Sequence, residues 1–405
     1  MNYYILPKNK NIIIFNIEFR PFVPQLYISH SLHNYISKLI KLIHNIYNNI
    51  TSNTLCDTSE NSNIINNEHS EQYEHIHNII HPYKFIYSNV PNTSISVSKL
   101  KPHSNTFYDF IEIIKSLNIF ESYNNKKKPL KTLFFGENGY AIMECMDIIR
   151  EDYNDNYNYI SDFKNYYFFI NNNDIHKKSV DFLFYDLLIE NTSKSDTNKL
   201  NKNHIHNYNI IIKILHSIFY YQNIHGICII KVGDLFHKPI IDLLYILSNS
   251  YNNIYIIKPI TSDIINNEKY IVCKDYNIND NTVELYTQYL LEFIKNDNAL
   301  LNDIINSNMN SNDFYLHNII KNEIPYHFLN KIEELNIIFG NNQLDAYNSI
   351  LNLINHKNKE EKIDSIKKIN IQKSINWCEK NNIPHNKFIE KLNIFYNHCI
   401  DNNKK

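Results

Sequence analysis

The stretch IIKPITSDIINNEKYIVCKDY, Ile256 to Tyr276, holds two apolar, β-rich runs around a polar break. Lys258, Pro259, Ser262, Asn266 and Glu268 all lie in or at the edge of that break. It is too short for the helical crossover, about a dozen residues or more, that parallel neighbours need. The run KYIVCKDY is therefore predicted to pair antiparallel, and the question is why a short connection carries so many polar groups.

Working back towards residue 104, strands alternate with helices. TFYDFIEIIKSLNIF reads as an amphipathic helix, and KTLFFGENGYAIMECMDIIR as strand, Gly turn and helix. NYYFFINN is predicted as a strand, and SVDFLFYDLLIE as a buried strand ending in the acid Asp186. YNIIIKILHSIFYYQ and KPIIDLLYILSNSY are helical, with HGICIIKVG and NNIYIIKP the strands that follow them. This alternation predicts an α/β fold with a mostly parallel sheet and one antiparallel strand.

Outside that region the pattern changes. Residues 1–50 combine a strand-like NIIIFNIEF with a helix, HNYISKLIKLIHNIYNNI, whose Ile36, Leu39, Ile40 and Ile43 share one face. Residues 51–72 read as a polar linker, and HPYKFIYSNV as a short strand pair. Beyond about residue 277 the strand signal fades. NTVELYTQYLLEFIKN, YHFLNKIEELNIIFG and QLDAYNSILNLINH read as separate helices, with INWCEKNNIP near the end. The expected organisation is an N-terminal extension over 1–95, an α/β domain over 96–280 and a helical region over 281–405.

Composition excludes several classes. The net charge is −2, so no whole-chain basic field draws in nucleic acid. Arg20 and Arg150 are the only arginines, which leaves phosphate contacts to lysine point charges. The six cysteines have neither zinc-ligand spacing nor the density of a disulfide scaffold. His75/His77 and His204/His206 lack further ligands at metal-binding spacing, so no metal is expected. No secretory leader pattern opens the chain, and no apolar run reaches the roughly 18 residues of a membrane span. The expectation is an intracellular, cytoplasmic protein without membrane contact.

In open α/β sheets ligands bind at the carboxyl ends of the strands. Three such ends carry charge: Asp186, Lys231 in ICIIKVG, and the segment leading to Glu268. The turn Gly136-Glu137-Asn138-Gly139 follows a strand, and it holds two of the chain's five glycines. Glycine there lets backbone approach a ligand, although a plain strand–helix turn reads the same way. Lys231 is either a snorkelling edge lysine or a desolvated amine with a lowered pKa, oriented by Asp186 and Glu268.

GICIIKVGDLF with Lys231, and above all the Lys258–Tyr270 segment, resemble the FtsJ-like ribose 2′-O-methyltransferases. Lys258, Pro259, Ser262, Asn266, Glu268 and Tyr270 match that family's segment without a gap. Asp186, Lys231 and Glu268 fall in the order of the last three members of its Lys-Asp-Lys-Glu tetrad. The resemblance spans about residues 95–276 and is closest to cap-modifying members of large DNA viruses and eukaryotes. It implies a Rossmann-like methyltransferase sheet, S-adenosylmethionine as cofactor, and capped mRNA as substrate. Viral transcription or capping proteins are implied partners. Lys231 would be the base for a ribose 2′-hydroxyl, with Gly136, Gly139, Tyr140 and Asp186 at the cofactor.

The chain departs from the family in four places. The cofactor loop lacks the family's Pro-Gly-Gly; Asp186 is followed by Leu187 rather than glycine; and Ser262 is followed by Asp263 rather than arginine. A fourth departure bears on the chemistry: Asp109 aligns with the first tetrad lysine. A carboxylate there would raise the pKa of Lys231, whereas a lysine would lower it. Lys99, Lys101 and Lys115 are the nearby lysines that could replace the lost one. Two functions follow: an active RNA ribose methyltransferase, or a catalytically degenerate member serving as an RNA-binding or complex-building subunit.

Overall fold

Runs of Ile, Phe, Tyr and Val build the strands, and their period-2 alternation sends successive side chains to opposite faces. A computed structural model of the chain describes residues 3–54, 78–91, 93–161, 166–172, 175–188, 210–306, 315–355 and 360–386. The polar linker beyond residue 54, His75/His77 and His204/His206 lie outside the described residues. The chain divides into two compact units. The first comprises Met1–His33, Thr106–Ser262 and Asn266–Phe339; the second comprises Asn34–Asn105, Asp263–Ile265 and Gly340–Lys405.

The first unit is mixed α/β. Its strands are β1 (Tyr3–Ile5), β2 (Phe15–Arg20), β3 (Lys131–Phe135), β4 (Asn156–Ile160), β5 (Val180–Asp186), β6 (Gln222–Val232), β7 (Tyr251–Ile257), β8 (Lys269–Tyr276) and β9 (Tyr315–Ile320). A seven-stranded sheet runs β1-β7-β8-β6-β5-β3-β4, and β2 pairs with β9 in a separate two-stranded sheet. β4, β3, β5 and β6 are mutually parallel. β8 inserts antiparallel between β6 and β7, as the short connection before it requires.

A second antiparallel strand was not expected. β1 pairs antiparallel with β7, Tyr4 opposite Ile256, and closes the edge of the sheet. Three residues are too few to show a period in sequence, so only the pairing reveals the strand. β1 and β2 bring the first residues of the chain into the same unit as the central sheet.

The helices of this unit include α2 (Thr106–Leu117), α3 (Glu121–Asn125), α4 (Gly139–Ile149), α6 (Ile210–Tyr221), α7 (Lys238–Ser250) and α8 (Asp280–Asn306). Strand alternation gives each face of the sheet its own core. Phe182 of β5 stacks on Phe110 of α2, with ring centroids 5.8 Å apart. On the opposite face, Phe135 and Tyr185 stack at 5.1 Å and join the cluster that α6 and α7 complete. Buried on both sides, these strands read as continuous apolar runs, as parallel strands do.

Local assignments differ from expectation in four places. NYYFFINN forms the helix α5 (Tyr166–Asn172), and the strand is NYNYI, β4. β4 is an edge strand, partly exposed along its length, so its asparagines need no burial and its apolar signal is weak. HPYKFIYSNV is no strand pair. Its Lys84–Ile86 form a 3-10 turn, closed by the Ile86 N–H to the Tyr83 carbonyl at 3.1 Å. β9 appears where the strand signal had faded. The two helices expected around Gly340 are one, α9 (Tyr326–Asn355), since a single helical glycine costs only about 1 kcal/mol.

In the second unit, α1 (His30–Thr54) and α10 (Glu360–Lys380) contribute helical residues. The segment after the 3-10 turn is tied to His385 and Asn386. Ser98 bridges His385, and the Asn386 side chain donates to the Ser96 carbonyl at 2.9 Å.

One buried ion pair locks the entry to the parallel strands. Arg150 and Asp155 have fully buried side chains, with Nε 2.5 Å from Oδ2. Arg150 also donates to the Lys128 carbonyl at 3.0 Å, and Asp155 accepts the Leu130 N–H at 2.8 Å just before β3. Asp155→Ala strands a buried guanidinium, so it is expected to cost about 3–5 kcal/mol in a urea unfolding curve. A loss below about 1 kcal/mol, the range of exposed pairs, would show that the pair is solvated in solution.

Candidate active site

The register of three strands assembles the site. Asp186 is the last residue of β5 and lies opposite Lys231 of β6, which lies opposite Tyr270 of β8. Paired residues point to the same face, so the three form a transverse row at the carboxyl ends of the parallel strands. That face is the one covered by α2, and α2 supplies Thr106, Asp109 and Glu112 to the row.

Lys231 is 5% exposed. Its Nζ lies 3.3 Å from Glu268 Oε2 and 3.4 Å from Thr106 Oγ1. It is therefore a buried, paired amine rather than a snorkelling edge lysine. Asp109 is 2% exposed and accepts three hydroxyls. Thr261 donates at 2.5 Å to Oδ1, while Ser262 and Tyr270 donate at 2.7 and 2.9 Å to Oδ2. Three residues along α2, Glu112 accepts the Ile260 N–H at 3.2 Å and the Thr261 hydroxyl at 3.5 Å. The polar break thus clamps a connection onto α2 and delivers Glu268 to Lys231. Lys258 donates to the Asn266 carbonyl across the same connection.

The cofactor-loop residues divide. The sheet order reverses between β3 and β5, because the chain leaves β3 for β4 on one side and returns to β5 on the other. Gly136 and Asp186 end those two strands, where a crevice forms in open α/β sheets. Gly136 has φ +95°, and a Cβ there would stand 2.8 Å from the Asp186 Cβ. The position needs glycine for both reasons. Gly139 serves packing: a Cβ would meet Phe134 and the Tyr159 ring at 3.0 Å. Tyr140 is exposed, its ring edge-on to Tyr159 at 6.5 Å. The Asp186 carboxylate accepts the Asn138 side-chain amide at 2.5 Å and the Leu188 N–H at 2.8 Å.

Electrostatics follow from this crowding. Burial pushes the Asp109 pKa up to about 6, opposed by the Thr261 and Ser262 hydroxyls and then by Lys231. Asp186 is raised by burial more than Lys231 lowers it. For Lys231, burial alone would favour the neutral amine, but Glu268, then Asp186 and Asp109, outweigh it and raise the pKa. The amine is therefore raised, as an acid-rich surrounding predicts, and not lowered as desolvation alone would make it, with Glu268 and Asp186 the main causes and Asp109 adding to them. Three carboxylates against one ammonium leave the cluster at a formal −2 when all are ionised. The pKa of Lys115, on the same helix as Asp109, is lowered by burial, against which Cys145 of α4 acts.

Thr106, Glu112 and Thr261 were not singled out in sequence. Glu112 carried a signal, since it stands three residues from Asp109 on the same helical face. Among the described residues, no group of three or more His, Cys, Asp and Glu side chains is arranged to hold a metal, and no helix is long and apolar enough to cross a membrane.

No family model matches the chain. It is similar to the cap-specific mRNA (nucleoside-2′-O-)-methyltransferase 1 of Dictyostelium discoideum, at 29% identity over 122 residues. That match covers 30% of this chain and 14% of the relative, so the chain corresponds to a small part of that protein. A solved structure described as a ribosomal RNA methyltransferase from Plasmodium falciparum aligns with 43% of this chain and 97% of its own, at 18% identity and a TM-score of 0.31.

Because Asp109 is raised in the folded chain, its contribution to stability is complete below its unfolded pKa, near 4. That contribution is lost as pH rises through about 6. Relative to Asp109→Asn, the wild type is expected to lose on the order of 2–3 kcal/mol between pH 4 and 6.5. Denaturant unfolding of both proteins at the two pH values checks this. Parallel pH dependence in the two would mean that Asp109 ionises freely.

Proposed function

We propose that the chain is an S-adenosylmethionine-dependent RNA ribose 2′-O-methyltransferase of the FtsJ-like type, acting on the cap-proximal nucleotide of mRNA. The observation that carries this reading is the convergence of Asp186, Lys231 and Glu268 around one ammonium at the reversal point of the sheet. The family pattern requires those residue types in that order, and their proximity comes from strand register rather than from sequence adjacency. The name of the Dictyostelium relative supports the RNA cap as substrate.

The residues suited to the cofactor are Gly136, Asp186 and Tyr140, with Gly139 shaping the turn behind them. Gly136 lets the backbone of the turn close against Asp186, where no side chain would fit. When bound, S-adenosylmethionine supplies a methyl group on a sulfonium, which is already a good leaving group. The protein's part is to hold and orient the ribose hydroxyl and to accept its proton. Lys231 and Glu268 are the groups placed for that work.

A second reading, a non-catalytic subunit of the same fold, is favoured by Asp109 standing where the family has a lysine. Calorimetric titration with S-adenosylmethionine, followed by transfer of labelled methyl to a short capped RNA, separates the two. The proposed enzyme binds the cofactor and methylates the RNA at the ribose, and Lys231→Ala lowers the transfer at least 100-fold. A protein that binds neither cofactor nor RNA productively belongs to the second reading.

A further inference from the structure

Of the four charged groups gathered at the amine, Asp109, Asp186, Lys231 and Glu268, the first three have every charged atom engaged. Asp109 has both carboxylate oxygens occupied by the hydroxyls of Thr261, Ser262 and Tyr270. Asp186 has both occupied by Asn138 and the Leu188 N–H. The Lys231 side chain is 6% exposed and hemmed in by carboxylates from β5, α2 and the segment before β8. Glu268 differs. Its side chain is 27% exposed, and its one polar contact among the described residues is Oε2 to Lys231. Of the three carboxylates nearest the amine, Glu268 alone has an uncommitted oxygen and an open approach.

We infer that Glu268 takes the proton of the ribose hydroxyl, and that Lys231 remains an ammonium ion which orients the oxygen. This inference rests on the methyltransferase reading above. In the step, the O2′–H bond breaks and its proton goes to the Glu268 carboxylate. The O2′–CH3 bond forms, and the donor's C–S bond breaks with its electron pair left on sulfur. The proton then leaves Glu268 for water. The cation on Lys231 is needed throughout, because it offsets the charge that builds on O2′.

The groups facing Glu268 all favour this division. Lys231 of β6 is its cationic partner, Asp186 of β5 and Asp109 of α2 hold that cation charged, and Glu112 of α2 is engaged by the Ile260 N–H. Tyr270 of β8 donates its hydroxyl to Asp109 and so offers no competing base. Lys269 sits on the other face of β8, donating to the Gly233 and Asn267 carbonyls at 3.3 and 2.9 Å. The raised pKa of Lys231 agrees with the geometry.

Arginine holds a positive charge but cannot act as a base, so Lys231→Arg is the discriminating variant. It is expected to keep methyl transfer to a capped RNA within about tenfold of wild type, whereas Glu268→Gln falls about 100-fold or more. Glu268→Asp, a milder change, should retain intermediate activity and guards against a folding defect in the glutamine variant. A second readout needs no turnover. With 13C-labelled lysine Cε, the Lys231 resonance, assigned by its absence in Lys231→Arg, should not titrate below about pH 10 with or without S-adenosylmethionine. A Lys231 signal that titrates between about pH 7 and 9, in a protein that binds cofactor and transfers methyl, overturns this inference alone. Wild-type protein that binds no S-adenosylmethionine overturns the methyltransferase reading itself, and this inference with it.

Discussion

One buried ammonium organises the carboxyl end of the sheet. Removing a lysine amine from water carries a penalty of several kcal/mol, which only close, well-placed partners offset. Lys231 meets that requirement with Glu268 at 3.3 Å, Thr106 at 3.4 Å, and the fields of Asp186 and Asp109. The partners come from three other elements, Thr106 and Asp109 from α2, so the amine ties α2, β5, β6 and the segment before β8 to one point. Deleting it would leave three buried or half-buried acids without a counter-charge.

The connection ahead of β8 is held by hydroxyls on carboxylates rather than by lysine. Ile260, Thr261 and Ser262 on one side, and Tyr270 on the other, all donate to Asp109 or Glu112. Two acids three residues apart on α2 therefore fix both ends of the segment that carries Glu268. Such charge-assisted bonds are roughly twice as strong as neutral ones. Of the polar residues that looked excessive for a hairpin, Ser262 is a donor that this clamp consumes, Lys258 ties the connection to itself at the Asn266 carbonyl, and Glu268 is the group it delivers to Lys231.

How far the sequence reached depended on whether a signal was local. The parallel core was legible because β3, β5, β6 and β7 are long apolar runs separated by periodic helices. The antiparallel insertion of β8 followed from chain length alone. β1 was illegible because three residues carry no period, and β4 because an exposed edge tolerates NYNYI. In NYYFFINN, aromatic content argued for a strand, yet the segment is helical, which is tertiary context overriding propensity. At the site, Asp186, Lys231 and Glu268 were readable as charges at strand ends, and with Asp109 aligned on α2 the upward shift of Lys231 was readable too, although desolvation alone argued the other way. Which other side chains of α2 reach the amine depends on packing across a separation of more than a hundred residues, so Thr106 could not be read.

The aspartate on α2 is chemically matched to its surroundings rather than merely tolerated. Three hydroxyl donors converge on its two oxygens, and Lys231 lies close enough to lower its pKa. A lysine in its place would confront Lys231 across a buried space, and the hydroxyls of Thr261, Ser262 and Tyr270 would have to turn from donors into acceptors. Three hydroxyls and one carboxylate form a consistent set, and exchanging one member disturbs all four. The swap from cation to anion therefore reorganises the division of labour in the row. The amine becomes a fixed charge, the acids on α2 and β5 become its supports, and the half-exposed Glu268 is left as the group free to exchange a proton with whatever enters the cleft.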